Sequence, residues 1–177
     1  NYMKKILLTF MAVISLPITQ LAQNPIICSE KEQVIKNSPD PKIIKSCTFE
    51  NFKSVSIGVA DYKGRYSYSY KLLKLINNRY VEIKNSELFN ENKKELLAII
   101  NQKIKETYQE YLNNSETKDC FDGFTLTEVS FDDLRISFND TGIDFSISFG
   151  LSGACLSVDG TIISIELAEI KVYLNKN

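Results

Sequence analysis

Three tyrosines, Tyr66, Tyr68 and Tyr70, recur at every second position. On a strand, residues spaced by two share one face, so the three rings would stand side by side. Such a row could stack on sugar rings or anchor a protein, because tyrosine joins a large apolar ring to a hydrogen-bonding tip. The plainer reading is that these residues are good strand formers that cover a core.

Acidic residues gather in the second half at Asp119, Asp122, Asp132, Asp133, Asp140 and Asp144. A carboxylate pair could hydrolyse a glycosidic bond, and carboxylates with carbonyls could hold calcium. The Asp-x-Asp-x-Asp-Gly spacing of a calcium loop is absent, and the adjacent Asp132 and Asp133 would diverge on a strand. Solvated acids at turns and edges are the simpler account. Ser137, Ser146 and Ser148 line the outer face of a hairpin with no base nearby to activate a hydroxyl.

The chain contains no histidine. That removes Ser-His-Asp and Cys-His catalysis, histidine general bases and nearly all catalytic zinc sites. Any enzyme built here would work with carboxylates, Lys, Tyr or Ser alone. The expectation is a non-enzymatic protein with no catalytic residue, no metal site and no cofactor.

The four cysteines are Cys28, Cys47, Cys120 and Cys155. No two have the close spacing of a zinc site. Four cysteines allow three pairings. Cys28–Cys47 and Cys120–Cys155 are favoured because each pair brackets one local unit.

The leader supports disulfides. Met3 is followed by Lys4 and Lys5, an apolar run over 6–16, then Pro17 and a polar stretch ending at Ala22. That is the layout of a secretory signal peptide, and the run is short of the roughly 20 residues a membrane-spanning helix needs. Residues 1–22 are therefore read as a signal peptide, with Asn1 and Tyr2 as a remnant before the start methionine. No transmembrane anchor is expected after cleavage, and the location is periplasmic or secreted. Removing Lys4 and Lys5 leaves 19 basic against 22 acidic residues, a net charge near −3. That argues against nucleic acid or an anionic membrane surface as partner. Asn113-Asn114-Ser115 and Asn139-Asp140-Thr141 fit the glycosylation sequon, but the short Lys-rich leader reads as bacterial, which leaves them unused.

The elements that would position these groups follow from periodicity. Residues 23–46 are rich in Lys, Asn, Ser and Pro and read as an extended arm stapled on by Cys28–Cys47, leaving 47–177 as a single domain. Val55, Ile57 and Val59 alternate with Ser54, Ser56 and Gly58 as a half-buried strand. Asp61-Tyr62-Lys63-Gly64 reads as a turn into the tyrosine strand. The alternation slips near Leu72 and Leu73, which suggests a bulge. Asn77-Asn78 suits a tight turn into a third strand at Val81 and Ile83.

Asn90 is placed to cap a helix over 91–113. Its stripe is Leu97, Ile100, Ile104, Tyr108 and Tyr111, widened by Leu96 and Leu112. A hairpin over 131–149 sets Leu134, Ile136 and Phe138 against Ile143, Phe145, Ile147 and Phe149, with Gly142 taking a left-handed turn position. Ile163 and Ile165 mark a last strand, and 167–174 a short closing helix. The fold class is α+β: an antiparallel sheet, made of a meander, a hairpin and a final strand, packed against one long amphipathic helix.

This order resembles a known family. Lys71-Leu72-Leu73-Lys74-Leu75-Ile76-Asn77-Asn78-Arg79-Tyr80-Val81-Glu82-Ile83 leads to Ser86-Glu87-Leu88-Phe89 and a long helix. Then come Asp133-Leu134-Arg135-Ile136-Ser137-Phe138, the stretch 150–154, and Ile163-Ser164-Ile165-Glu166-Leu167. The pattern is similar to the extracellular C-terminal domain of RsiV-type anti-sigma factors, over about residues 71–174. The resemblance implies an α+β fold and lysozyme binding at the cell surface; related domains accompany cell-wall deacetylases. The chain is expected to depart from that family, with no transmembrane anchor and no anti-sigma segment, and it adds four cysteines. The function expected is an exported envelope-binding protein, lysozyme-binding or inhibitor-like, with a protein or a cell-wall glycan as partner. The alternatives are a carboxylate-dependent enzyme acting on cell-wall glycans, and a structural or assembly partner in the envelope.

Overall fold

The structure is a computed structural model that describes residues 25–33, 42–60 and 66–175. Residues 1–22, expected as a signal peptide, and the expected turn at Asp61-Tyr62-Lys63-Gly64 lie outside the described residues. Five strands form one antiparallel sheet in sequence order: β1 (Ile27–Gln33), β2 (Lys42–Phe49), β3 (Phe52–Ala60), β4 (Tyr66–Ile76) and β5 (Arg79–Glu82). The stretch expected as an arm, 23–46, thus contributes β1 and most of β2. Cys28 lies directly opposite Cys47, and the two are bonded with their Cα atoms 4.0 Å apart. The bridge therefore locks a strand pair instead of tethering a loose segment.

Asn77 and Asn78 both take positive φ, 48° and 60°, in the turn between β4 and β5. Two left-handed residues give the primed turn whose twist matches a right-handed strand pair. The bulge expected near Leu72 is absent. Pairing runs without a slip from Phe52↔Lys74 to Ala60↔Tyr66. Leu72 simply continues the face of Tyr66, Tyr68 and Tyr70, while Leu73 and Leu75 lie on the opposite face with Val55, Ile57 and Val59.

The remaining strands form a second sheet, so the single sheet expected divides in two. It comprises β6 (Arg135–Phe138), β7 (Gly142–Ile147) and β8 (Thr161–Glu166), all antiparallel. Against it lies the long helix α1 (Lys93–Asn113), which fully buries Leu96, Ile100 and Ile104. Leu97, Tyr108, Tyr111 and Leu112 are only partly covered, and Ile99 is exposed, so the buried stripe is narrower than the spacing suggested. Phe145, Ile143, Ile136 and Phe138 complete this core from the hairpin side. The first sheet joins it through Phe49, Phe52, Leu72 and Cys47, with β6 lying across β2, β3 and β4.

Two local features close the body. Asn90 does not cap α1, which starts at the residue after Asn92. Its side-chain amide donates to Val172 O (2.8 Å) and Leu174 O (3.3 Å), and its Oδ1 accepts from Asn92 N–H. It straps the chain end, after α2 (Leu167–Ile170), to the connector before the helix. Gly142 is not left-handed. A side chain there would place Cβ 2.1 Å from Ile165 O, so the residue is glycine because β7 and β8 approach too closely for anything larger.

Cys120–Cys155 ties the turn after α1 to the loop between β7 and β8, beside a cluster of Tyr108, Tyr111, Phe121, Phe124 and Phe149. Two disulfides suit an oxidising compartment. No helix among the described residues is long and apolar enough to cross a membrane.

Candidate functional site

The tyrosine row sits on the face of the five-stranded sheet that also meets β6. Register places Tyr66 opposite Ala60, Tyr68 opposite Gly58 and Tyr70 opposite Ser56. These small partners leave room for the rings. A Cβ on Gly58 would lie 2.6 Å from Tyr68 Cε1, so the bare glycine is where that ring rests. An aromatic covering a cross-strand glycine is a recurrent packing device in sheets. The rings follow one another closely, 6.1 Å from Tyr66 to Tyr68 and 6.5 Å from Tyr68 to Tyr70.

Exposure differs along the row and is lowest at Tyr70. Tyr66 is 38% and Tyr68 48% exposed, whereas Tyr70 is half-buried beneath β6. Burial raises the Tyr70 hydroxyl above the ordinary tyrosine value, an effect opposed by the Arg135 guanidinium and reinforced by Tyr68 and Asp144. Tyr70 therefore stays a neutral donor at any physiological pH.

At this seam the structure joins features that the sequence leaves separate. A cleft of about 190 Å³ has Tyr68, Tyr70 and Lys45 on one side and Ser137, Asp144 and Ser146 on the other. The hairpin serines thus face the tyrosine row. Ser54 forms part of the same lining and is almost fully buried; its Oγ accepts the Phe138 N–H at 2.9 Å, pinning β6 to β3. Asp144 is already engaged, accepting from Asn139 Nδ2 (2.8 Å) and Ser164 Oγ (2.6 Å). Ser148 is not in this cleft and donates instead to Asp159 (2.8 Å).

The other acids are not brought together. Asp119 and Asp122 lie at the turn after α1. Asp132 accepts from the Ser86 N–H (3.3 Å), while Asp133 accepts from the Ser130 N–H (2.8 Å) and hydroxyl (2.7 Å). Those Ser130 bonds hold the Asp133 carboxyl below its usual range. No cluster of metal-ligating side chains occurs among the described residues. Asn139 Oδ1 is occupied within its turn by Thr141 and Gly142 N–H groups, so this sequon is folded into the hairpin.

A larger groove of about 720 Å³ runs between α1 and the extended stretch 124–129, past Leu97, Tyr108, Phe124 and Leu126. Asn101 closes it by donating to Val129 O and accepting Val129 N–H, at 3.1 and 2.9 Å. None of Tyr66, Tyr68, Tyr70, the three hairpin serines or the six aspartates singled out from the sequence lines it.

Lys45, Gly58 and Arg135 are the site residues that sequence reasoning missed. Gly58 matters through its register opposite Tyr68, and Lys45 and Arg135 matter through the way β6 lies across the first sheet. Comparison with protein families, with characterised proteins and with solved structures finds nothing that matches this chain.

Proposed function

We propose that this chain is an exported, non-enzymatic binding protein of the bacterial envelope, and that the tyrosine face of β4 is its recognition surface for a protein partner. One observation carries the reading: large rings stand on one strand, two of them exposed, held in order over a glycine and beside a polar cleft. Tyrosine in such a setting offers broad apolar contact at small entropic cost and a hydroxyl at its tip, which is why interfaces are enriched in it. Held rings lose little further freedom when a partner arrives.

The pattern resemblance to RsiV-type domains makes lysozyme the first partner to try. Titration of lysozyme into the disulfide-bonded protein should give saturable binding by calorimetry. Changing Tyr66, Tyr68 and Tyr70 together to Ser should cut affinity at least tenfold while the melting temperature shifts by only a few degrees. Absence of binding would remove lysozyme and leave capture from envelope extract as the search. Capture that survives the triple change would remove the tyrosine face itself.

A further inference from the structure

The tyrosine strand has a second exposed feature, its backbone. In an antiparallel sheet each residue points its N–H and C=O to the same side, and successive residues alternate sides. Leu75 N–H donates to Asn51 O (2.7 Å) on the β3 side, and Ile83 N–H donates to Leu72 O (2.9 Å) on the β5 side. Odd-numbered residues of β4 thus bond to β3, and even-numbered ones face β5. The main-chain groups of Tyr66, Tyr68 and Tyr70 all point toward β5.

That strand does not reach them. Its pairing runs only from Leu73↔Glu82 to Ile76↔Arg79, after which the chain leaves the sheet. Among the described residues no strand lies beside 66–71, so a run of donors and acceptors stands open there. The far edge of the sheet, β1, is a longer opening, but it carries Glu30, Lys31 and Glu32, the charges that discourage strand addition. The 66–71 edge reads Tyr-Ser-Tyr-Ser-Tyr-Lys, with a single charge at its end.

A cleft of about 300 Å³ lies along this edge, with Tyr68, Tyr70 and Leu72 on one side and Asn85, Asp132 and Arg135 on the other. Asn85 is fixed by its bonds to Phe131 O (3.1 Å) and Leu134 O (2.6 Å). Asp132 is held by Ser86. Arg135 has no ion-pair partner among the described residues; Lys71, next to it in the lining, is paired with Glu82 at 2.7 Å.

We propose that this edge receives an extended segment of the partner protein, added to the sheet as a strand antiparallel to β4 and in line with β5. An acidic side chain of that segment would meet Arg135. The inference rests on the reading of the tyrosine face as a recognition surface and adds its binding mode. Main-chain bonds to Tyr66, Tyr68 and Tyr70 supply affinity, the rings grip the side chains that fall on their face, and Arg135 selects for an acid. A second copy of this chain fits less well. The same strand of a second copy offers tyrosine, serine and lysine and no carboxylate, which leaves Arg135 unanswered.

The test uses linear eight-residue peptides alternating threonine and valine, with one glutamate moved through every position. Amide hydrogen exchange is followed by NMR on the disulfide-bonded protein. Without peptide, the amides of Tyr66, Tyr68 and Tyr70 should exchange far faster than those of Ser67, Ser69 and Lys71. One glutamate register should bind and slow the three tyrosine amides at least tenfold. N-methylation of alternate peptide amides should abolish that protection, and Arg135→Ala should weaken binding about tenfold, with no added loss when the glutamate becomes glutamine.

No slowing at millimolar peptide would overturn the proposal. So would slowing that grows with protein concentration alone, which marks self-pairing. A partner whose binding needs the three rings but leaves the three amides unprotected would sink strand addition and leave the recognition surface standing. A partner indifferent to both would sink both.

Discussion

The two sheets of this protein start from the same kind of sequence and end differently. In the three-stranded sheet the apolar half of the hairpin alternation is sealed apart from Ile147 at the end of β7: Ile136, Phe138, Ile143 and Phe145 are at most 2% exposed. In the five-stranded sheet Val55, Ile57 and Val59 alternate just as cleanly, yet they stay only partly covered, while Ser54 and Gly58 on the other face are buried. Alternation says that a strand has two faces. It does not say which face another layer will cover. Here α1 and β6 decide that, and the five-stranded sheet is left with the surface available for contact.

The largest expected effect separates the two regions by one kind of change. Ile104→Asp puts a charge into the contact between α1 and the second sheet, where Ile104 is 1% exposed. It should cost more than about 4 kcal/mol and abolish cooperative unfolding in circular dichroism. Ile57→Asp in the half-covered sheet should keep a cooperative transition, and so should Lys105→Asp on the outer side of the helix. Equal collapse of the first two would mean that the five-stranded sheet is as buried as the helical body.

The disulfides offer the next contrast, one in each region. Removing either bridge by paired Cys→Ala changes should cost about 2 to 5 kcal/mol. The Cys120–Cys155 loop spans 35 residues against 19 for Cys28–Cys47. Chain entropy alone then makes its loss worse by about 0.5 kcal/mol. Denaturant midpoints of the two double variants would show the order.

Two glycines sharpen the comparison further. At Gly142 an added Cβ meets the backbone oxygen of Ile165, which cannot move without parting β7 from β8. Gly142→Ala should lower stability by about 1 to 3 kcal/mol. At Gly58 the added atom meets the edge of the Tyr68 ring, a side chain 48% exposed that can shift outward more cheaply than backbone. Gly58→Ala should leave stability within about 1 kcal/mol of wild type, because strands disfavour glycine. It should displace the Tyr68 ring signals in NMR. A large loss from Gly58→Ala would show the tyrosine row to be structural.

The smallest effect is a pH dependence in the loop after β7. Burial raises the Asp159 carboxyl, but bonds from Leu151 N–H, the Ser148 hydroxyl, and the Gly150 and Phe149 backbone outweigh it and hold the pKa low. A carboxylate whose folded pKa is depressed stabilises the fold above its unfolded value, and that share is lost as pH falls through the folded value. The loss should therefore begin below the ordinary carboxylate pKa of about 3.9. Melting curves for Asp159→Asn should fall less steeply with acid than those of wild type. Identical slopes would show that the loop contributes no linkage.

Sequence alone determined what depends on neighbours along the chain. The hairpin of β6 and β7, the span of α1, the left-handed Asn77-Asn78 turn and the shared face of Tyr66, Tyr68 and Tyr70 were legible because periodicity and turn chemistry are local. The cysteine pairs that bracket local units are also the pairs joined in the structure. Residues 27–33 were not legible as a strand, because Ile-Cys-Ser-Glu-Lys-Glu-Gln offers little apolar alternation and β1 is held by pairing with β2. Gly142 was legible as necessary, but the reason, contact with Ile165, lies more than 20 positions away. The meeting of the tyrosine row with Ser137, Ser146 and Arg135, and the open edge at 66–71, were decided by tertiary structure alone. They depend on where β5 stops and on how one sheet lies across another, which are set by the packing of Phe49, Phe52 and Leu72 against the second sheet and not by any local spacing.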